Sequence, residues 1–141
     1  MSEPDADAWT RNLIADMRAH AGRAASGPMA GKPLAILTTK GARTGKDRTA
    51  IVTYHLDGAR YVIAASKGGA PSHPAWYHNL VAHPDVSMEV DAQVVPARAT
   101  EVTGPERDRL WNDHVAELPE FGDYPAKTDR LIPVFVLEPT S

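Results

Sequence analysis

The sequence predicts an α+β domain, mainly β: a small antiparallel barrel of about six strands carrying three short helices. Three observations point there. Apolar runs of five to nine residues alternate with glycine-, proline- and aspartate-bearing turns. Two of those turns, Asp57-Gly58 and Asp91-Ala92, sit between paired runs as hairpin connections. No β-α-β alternation is present, which disfavours a doubly wound parallel sheet.

The first element is a helix over Asp7–Ala25, in which Trp9, Leu13, Met17 and His20 recur at spacings of three and four. Gly27 and Pro28 are expected to stop it. It reads as a helix packed on the domain; a lid or a membrane-surface helix is the alternative, weakened by a polar face that is not strongly basic. Pro33–Thr39 is a short apolar run between turn residues, hence a buried strand. Lys40–Asp47 is a loop with Gly41 and Gly45. Arg48–Leu56 is the next strand, and Arg60–Ser66 its hairpin partner, with Tyr61, Val62 and Ile63 favouring β structure.

Lys67-Gly68-Gly69 opens another loop. Pro74 suits a first helical turn, where its missing N–H costs nothing, and that helix runs through Trp76, Tyr77, Asn79 and Leu80 to end before Pro84. Val86–Val90 and Val94–Val102 form the second hairpin. Thr103-Gly104-Pro105-Glu106 has the form of a capping box, starting a helix that buries Leu110, Trp111, His114 and Val115. Leu118–Thr128 is a loop. Ile132–Leu137 closes the chain as a strand, with Pro133 placing its start at an edge or a bulge. The resulting division is an N-terminal helical segment, 1–28, and one barrel, 29–141.

Composition bounds the function. The chain has 141 residues, 43% of them hydrophobic and 23% charged, enough for one compact domain. A net charge of −3 argues against nucleic acid as a partner. With no cysteine, disulfides, thiolate nucleophiles and Cys-ligated metals are excluded. No apolar run reaches the roughly 18 residues that span a bilayer, and the acidic start lacks the pattern of a signal peptide. The expectation is a cytoplasmic protein, with a peripheral seat on the inner face of the membrane as the variant reading of its first helix.

Two segments concentrate chemistry. Thr38–Thr49 brings Lys40, Arg43, Lys46 and Arg48 together with hydroxyls and two glycines, at the end of a strand. Cations plus turn N–H groups make a seat for phosphate or carboxylate, although the spacing is not that of a Walker loop and a solvated hairpin loop stays open. Ala64–Leu80 combines Gly68 and Gly69, which admit a flat ligand close to the backbone, with Ser66, Lys67 and the broad face of Trp76. Taken alone, Trp76 also fits a core position. His73, His78 and His83 do not make a metal site: a spacing of five separates neighbours by about 140° on a helix, and no acidic cluster completes a ligand set. A Gly-x-Ser-x-Gly elbow is missing, so a Ser/His/Asp triad has no support. Tyr124 lies in a Pro- and Gly-bearing stretch, where a phenol serves either as a proton donor or as a packed side chain with one hydrogen bond.

Together these strings resemble the deazaflavin-dependent nitroreductase family. The similar segments are Leu37–Lys46, Ser66–Gly69, His73–Leu80 and Tyr124 through Asp129-Arg130-Leu131-Ile132-Pro133 to Glu138-Pro139. The resemblance implies an FMN-binding-like split β-barrel and coenzyme F-420, an 8-hydroxy-5-deazaflavin with a ribityl phosphate and a polyglutamate tail. It implies cofactor contacts at Thr39, Arg43, Thr44, Gly45, Lys46, Arg48, Thr49, Ala50, Ile51, Ala65, Ser66, Lys67, Gly68, Trp76 and Asn79. Within that set, Arg43, Lys46 and Arg48 take the phosphate and tail, and Ser66, Lys67 and Gly68 take the ring. Catalytic roles fall to Ser66 and Tyr124, and no metal is implied. The reaction is hydride transfer from reduced F-420 to a quinone, enone or nitroaromatic. Members that reduce nitroimidazoles carry a spaced set of tyrosines on the substrate side; here that set reads Leu118, Phe121 and Tyr124, which shifts the expectation toward quinones and enones. Two alternatives stay open: an FMN-binding split-barrel oxidoreductase, and a non-catalytic F-420- or lipid-binding protein. The expected partner is a small-molecule substrate, with the chain a monomer or homodimer and weak membrane association through the first helix.

Overall fold

The computed structural model describes residues 8–24, 30–66, 73–127 and 131–140. Helix α1 is Ala8–Ala19, and it is followed by four strands: β1 Leu34–Lys40, β2 Asp47–Thr53, β3 His55–Asp57 and β4 Arg60–Ala64. Then come α2 Ala75–Ala82, the hairpin β5 Asp85–Val90 and β6 Gln93–Val102, α3 Gly104–Glu117, a 3-10 segment Pro119–Lys127, and β7 Val134–Pro139.

Seven strands form one sheet in the order β2-β1-β5-β6-β7-β4-β3, and every ladder is antiparallel. The two terminal strands in that order, β2 and β3, are consecutive in the chain and joined by Tyr54 alone. A single residue cannot bridge the ends of a flat sheet. The sheet must curl until its edges meet, which makes the barrel. This explains the one strand that the sequence reads as continuous, Arg48–Leu56. At Tyr54 the backbone N–H leaves the ladder and donates to the Pro33 carbonyl at 3.1 Å. Residues before it pair with β1, and residues after it pair with β4.

The apolar runs are explained by burial on both faces. In β1, Ala35 and Leu37 point into the barrel, while Leu34 and Ile36 lie under α1 with Met17. In β7, Phe135 and Leu137 point inward, while Val134 and Val136 meet Leu110 of α3 outside. Fully burying one such side chain stabilises by about 1.5–3 kcal/mol.

Several boundaries differ from expectation. Helix α1 stops at Ala19, well before Gly27 and Pro28, which lie outside the described residues. Gly22 ends it, with φ +89° and an N–H donated to the Met17 carbonyl at 2.6 Å. A side chain there would meet the backbone of Asp91 and Ala92 at 2.5–2.9 Å, so only glycine fits. Thr103 makes no capping-box bond, because Gly104 enters α3 with φ +63° and Glu106 approaches Arg60 at 3.8 Å instead. Within the stretch read as a loop, Pro119–Lys127 is a 3-10 helix. Strand β7 is not at an edge: it lies between β6 and β4, and Pro133 sits just before it, accepting the Ala65 N–H at 2.8 Å. At the second hairpin, Asp91 and Ala92 both have positive φ, +50° and +66°, the signature of a type I′ turn. Among the described residues, no helix is long and apolar enough to cross a membrane.

Candidate functional site

The cationic loop between β1 and β2 is closed on itself. The Gly41 N–H donates to the Lys46 carbonyl at 2.7 Å, and the Gly45 N–H to the Gly41 carbonyl at 2.9 Å. The Lys46 N–H donates to the Thr44 hydroxyl at 3.2 Å. Gly41 is buried, and a Cβ there would meet Thr44 Oγ1 at 2.8 Å. Gly45 holds φ +69°, a conformation costly to other residues. Gly45 is therefore favoured by its backbone conformation, and Gly41 by the close approach of Thr44.

Asn79 fastens the loop to α2. Its Oδ1 accepts the Ala42 N–H at 2.9 Å, and its Nδ2 donates to Thr39 Oγ1 at 3.0 Å. Asn79 and Thr39 are both buried, so these bonds form away from water. One amide thus fixes the end of β1 and the start of the loop. At the loop's base Lys40 pairs with Asp47 at 3.6 Å; Arg43, Lys46 and Arg48 are the loop's other cations.

Loop, β2 and α2 surround an open cavity of about 1120 Å³. Nine of the residues implicated by sequence line it: Thr39, Arg43, Thr44, Arg48, Thr49, Ala50, Ile51, Trp76 and Asn79. Trp76 serves two purposes, since it packs on the barrel core, edge-on to Phe135 at 6.2 Å, and also forms cavity wall. Gly45 and Lys46 belong to the same loop but are not among the lining residues. Ala65 and Ser66 follow β4 and are buried; they too lie outside the described lining. Lys67 and Gly68 fall outside the described residues.

Tyr124 stands on the 3-10 segment. It packs with Leu118, Phe121 and Ile132, its ring 5.0 Å from that of Phe121. Burial raises its pKa, and Glu120 adds to the effect, so the phenol keeps its proton at neutral pH. It is not part of the described cavity wall.

The cavity also has lining that the sequence reading did not single out. Trp9 and Thr10 of α1, Ala75 and His78 contribute to it. Trp9 carried a signal: it is a large aromatic in the first turn of an amphipathic helix, and it is 55% exposed. His78 entered as a metal candidate and as part of the His73–Leu80 string, without a site role of its own. His73 stacks on Tyr77 at 4.1 Å, and among the described residues no group of three His, Asp or Glu could hold a metal.

The residues present fit an extended anionic ligand with a flat portion. The guanidinium groups of Arg43 and Arg48 line the cavity together with the apolar surface of Ile51 and Trp76. A family model described as F420H(2)-dependent quinone reductase matches residues 9–139. The chain belongs to this family. An F420H(2)-dependent quinone reductase of Mycobacterium tuberculosis is 43% identical over 110 residues, covering 74% of this chain and 72% of that protein. A solved F420-H2-dependent reductase is 42% identical, covers 75% of this chain and 94% of its own, and superposes with a TM-score of 0.70. A second solved structure, described as a domain-swapped dimer, is 36% identical over 92% of this chain and 97% of its own, with a TM-score of 0.72. The protein is thus an oxidoreductase with a split β-barrel, and its cofactor is coenzyme F-420. FMN, the sequence alternative, has no such support.

Proposed function

We propose that this chain reduces quinones, with F-420 held in the cavity between the β1–β2 loop, β2 and α2. The observation that carries this reading is the convergence on one cavity of Arg43, Arg48 and the Asn79-fastened loop with the Ile51 and Trp76 surface. The bound cofactor, in its reduced form, supplies a hydride from C5. Arg43, Lys46 and Arg48 bind the phosphate and tail carboxylates by charge-assisted hydrogen bonds. Backbone atoms of Thr49, Ala50 and Ile51, with Thr39, Thr44, Gly45 and Ala65, lie along the cofactor, while Ser66, Lys67 and Gly68 contact the ring and its hydroxyl. Trp9 and Thr10 close the outer side, excluding water and orienting the acceptor. Tyr124 and Ser66 are the proton-handling groups, Tyr124 through a phenol that stays protonated in its half-buried site.

On this reading the N-terminal segment, 1–28, serves as the substrate-side wall and 29–141 as the cofactor-binding barrel. The resemblance to a domain-swapped dimer supports a homodimer in solution, which light scattering on the eluting protein tests. A weak hold on membranes through α1 would show as co-flotation with liposomes.

The deciding measurement is a fluorescence titration with oxidised F-420 beside FMN. Saturable quenching by F-420 alone is expected. Arg48→Ala should weaken it about tenfold or more, since a hydrogen bond to a charged group contributes about 1.5–3 kcal/mol. Tight FMN binding without F-420 binding would overturn the proposal.

A further inference from the structure

His55 and His114 form a pair that the proposed reaction does not use. His55 lies on β3 and His114 on α3, 59 positions apart, and both are buried. Their Nδ1 atoms stand 2.8 Å apart, and the rings are tilted at 55° with centroids 5.0 Å apart. Such a contact needs one hydrogen between the two nitrogens: one ring donates through Nδ1–H and the other accepts in its Nε2–H tautomer. Neither Nε2 has a hydrogen-bond partner. The pair is therefore suited to the neutral state, with one shared proton. One added proton, on the bare Nε2 of the donor ring, keeps the N–H···N contact but buries a charge; with both rings protonated, two N–H donors face each other and the contact breaks.

The pair leads toward the substrate-side segment. The His114 ring packs edge-on to Phe121 at 4.5 Å, and Phe121 packs against Tyr124 at 5.0 Å. Lys32 binds the same segment from outside, through Glu120 at 2.6 Å. Charged groups surround the pair on every element that packs against it. Asp57 on β3 is held by Arg60 and Arg109; Arg109, Asp113 and Glu117 lie on α3; Glu120 lies on the 3-10 segment. The carboxylates favour protonation of the pair and Arg109 opposes it, but burial outweighs them and holds both imidazoles below their ordinary range.

We propose that His55 and His114 are positioning residues: their shared proton clamps α3 to β3 and, through Phe121, sets the place of Tyr124. The clamp releases when both rings are protonated. Its consequence for catalysis rests on the donor role proposed for Tyr124; the clamp itself does not.

The test is an NMR titration of the full chain between pH 8 and 3, following the imidazole signals of both histidines and the ring signals of Tyr124. At neutral pH one Nδ1–H and one Nε2–H tautomer are expected. As pH falls, the Tyr124 signals should move with the same inflection as His114. In His55→Leu/His114→Leu, which keeps apolar volume and removes the proton, that inflection should vanish. Two Nε2–H tautomers, Tyr124 signals that stay flat while His114 titrates, or an inflection that survives in the double variant would each overturn the proposal. The wild-type titration decides the matter even where the double variant fails to fold. Quinone reduction by reduced F-420 separates the two readings. The double variant should lose several-fold in kcat with the KM for F-420 unchanged. If Tyr124→Phe keeps full kcat while the NMR coupling holds, the clamp stands and the donor role falls.

Discussion

Asn79 is the residue on which the geometry of the site turns. One buried amide satisfies both the Ala42 N–H and the Thr39 hydroxyl. Truncation to alanine leaves two polar groups without their partner, at about 1–3 kcal/mol for each that stays buried. The Ala42 bond lies at the rim of the cavity, so part of this cost should appear as lost preorganisation of the anion loop and not as lost stability. Asn79→Ala is therefore expected to weaken F-420 binding about tenfold while lowering the melting temperature by a few degrees. Asn79→Asp keeps the acceptor for Ala42 but puts a negative charge beside the phosphate seat, so it should bind F-420 less tightly still, and the added loss should shrink at high salt. Isothermal titration at two ionic strengths checks both outcomes; an Asp variant with wild-type affinity would separate Asn79 from the anion seat. Sequence made Asn79 a candidate through resemblance alone. Its partners lie 37 and 40 positions away, and no periodicity announces such a bond.

At the scale of elements, α1 is the least expected contributor to the site. It packs on the outside of β1 through Met17, and Arg18 ties it to Glu89 of β5 with a two-pronged pair at 3.0–3.3 Å. That pair is exposed and contributes at most about 1 kcal/mol, so the hold on α1 is mainly apolar. Trp9→Ala should raise the quinone KM several-fold with little change in F-420 affinity, read from steady-state kinetics beside the binding titration. Loss of F-420 binding instead would move Trp9 to the cofactor side. The types of these elements were largely legible in the sequence, because hydrophobic period, β-branched runs and turn residues are local signals. What was not legible depends on partners far along the chain. The interruption at Tyr54 follows from closing the barrel, the central place of β7 follows from pairing with both β6 and β4, and the failed cap at Thr103 follows from the backbone turn at Gly104. The cationic loop was legible because its cations are neighbours in sequence. The α1 wall was legible only as the alternative of a lid helix, because Trp9 meets the cavity only once the chain has folded.

For the whole molecule, the buried histidine pair predicts how stability depends on pH. Burial lowers the folded-state pKa of His114 to about 4, with His55 lending a further push, and His55 is lowered as well. In the unfolded chain both titrate near 6.5. A lowered histidine pKa means that the unfolded state takes up protons first. Stability from the neutral pair is therefore fully present above about pH 6.5 and falls as the pH drops toward 4, at about 1.4 kcal/mol per pH unit for each histidine that stays neutral in the fold. The carboxylates act lower on the scale. Arg109 and Arg60 hold the Asp57 carboxyl down to about 2, and Lys32 lowers Glu120. Their stabilisation persists until the pH falls below the ordinary carboxylate range, and is lost only through that lower window. The expected profile is a plateau near neutral pH, a first decline between about pH 6.5 and 4, and a second below it. Urea unfolding at half-unit pH intervals measures this. In His55→Leu/His114→Leu the first decline should flatten and the second remain, because only the histidines titrate in the upper window with shifted values. A wild-type curve flat from pH 7 to 5 would mean that the folded pair takes up protons as readily as the unfolded chain, against the burial of both rings.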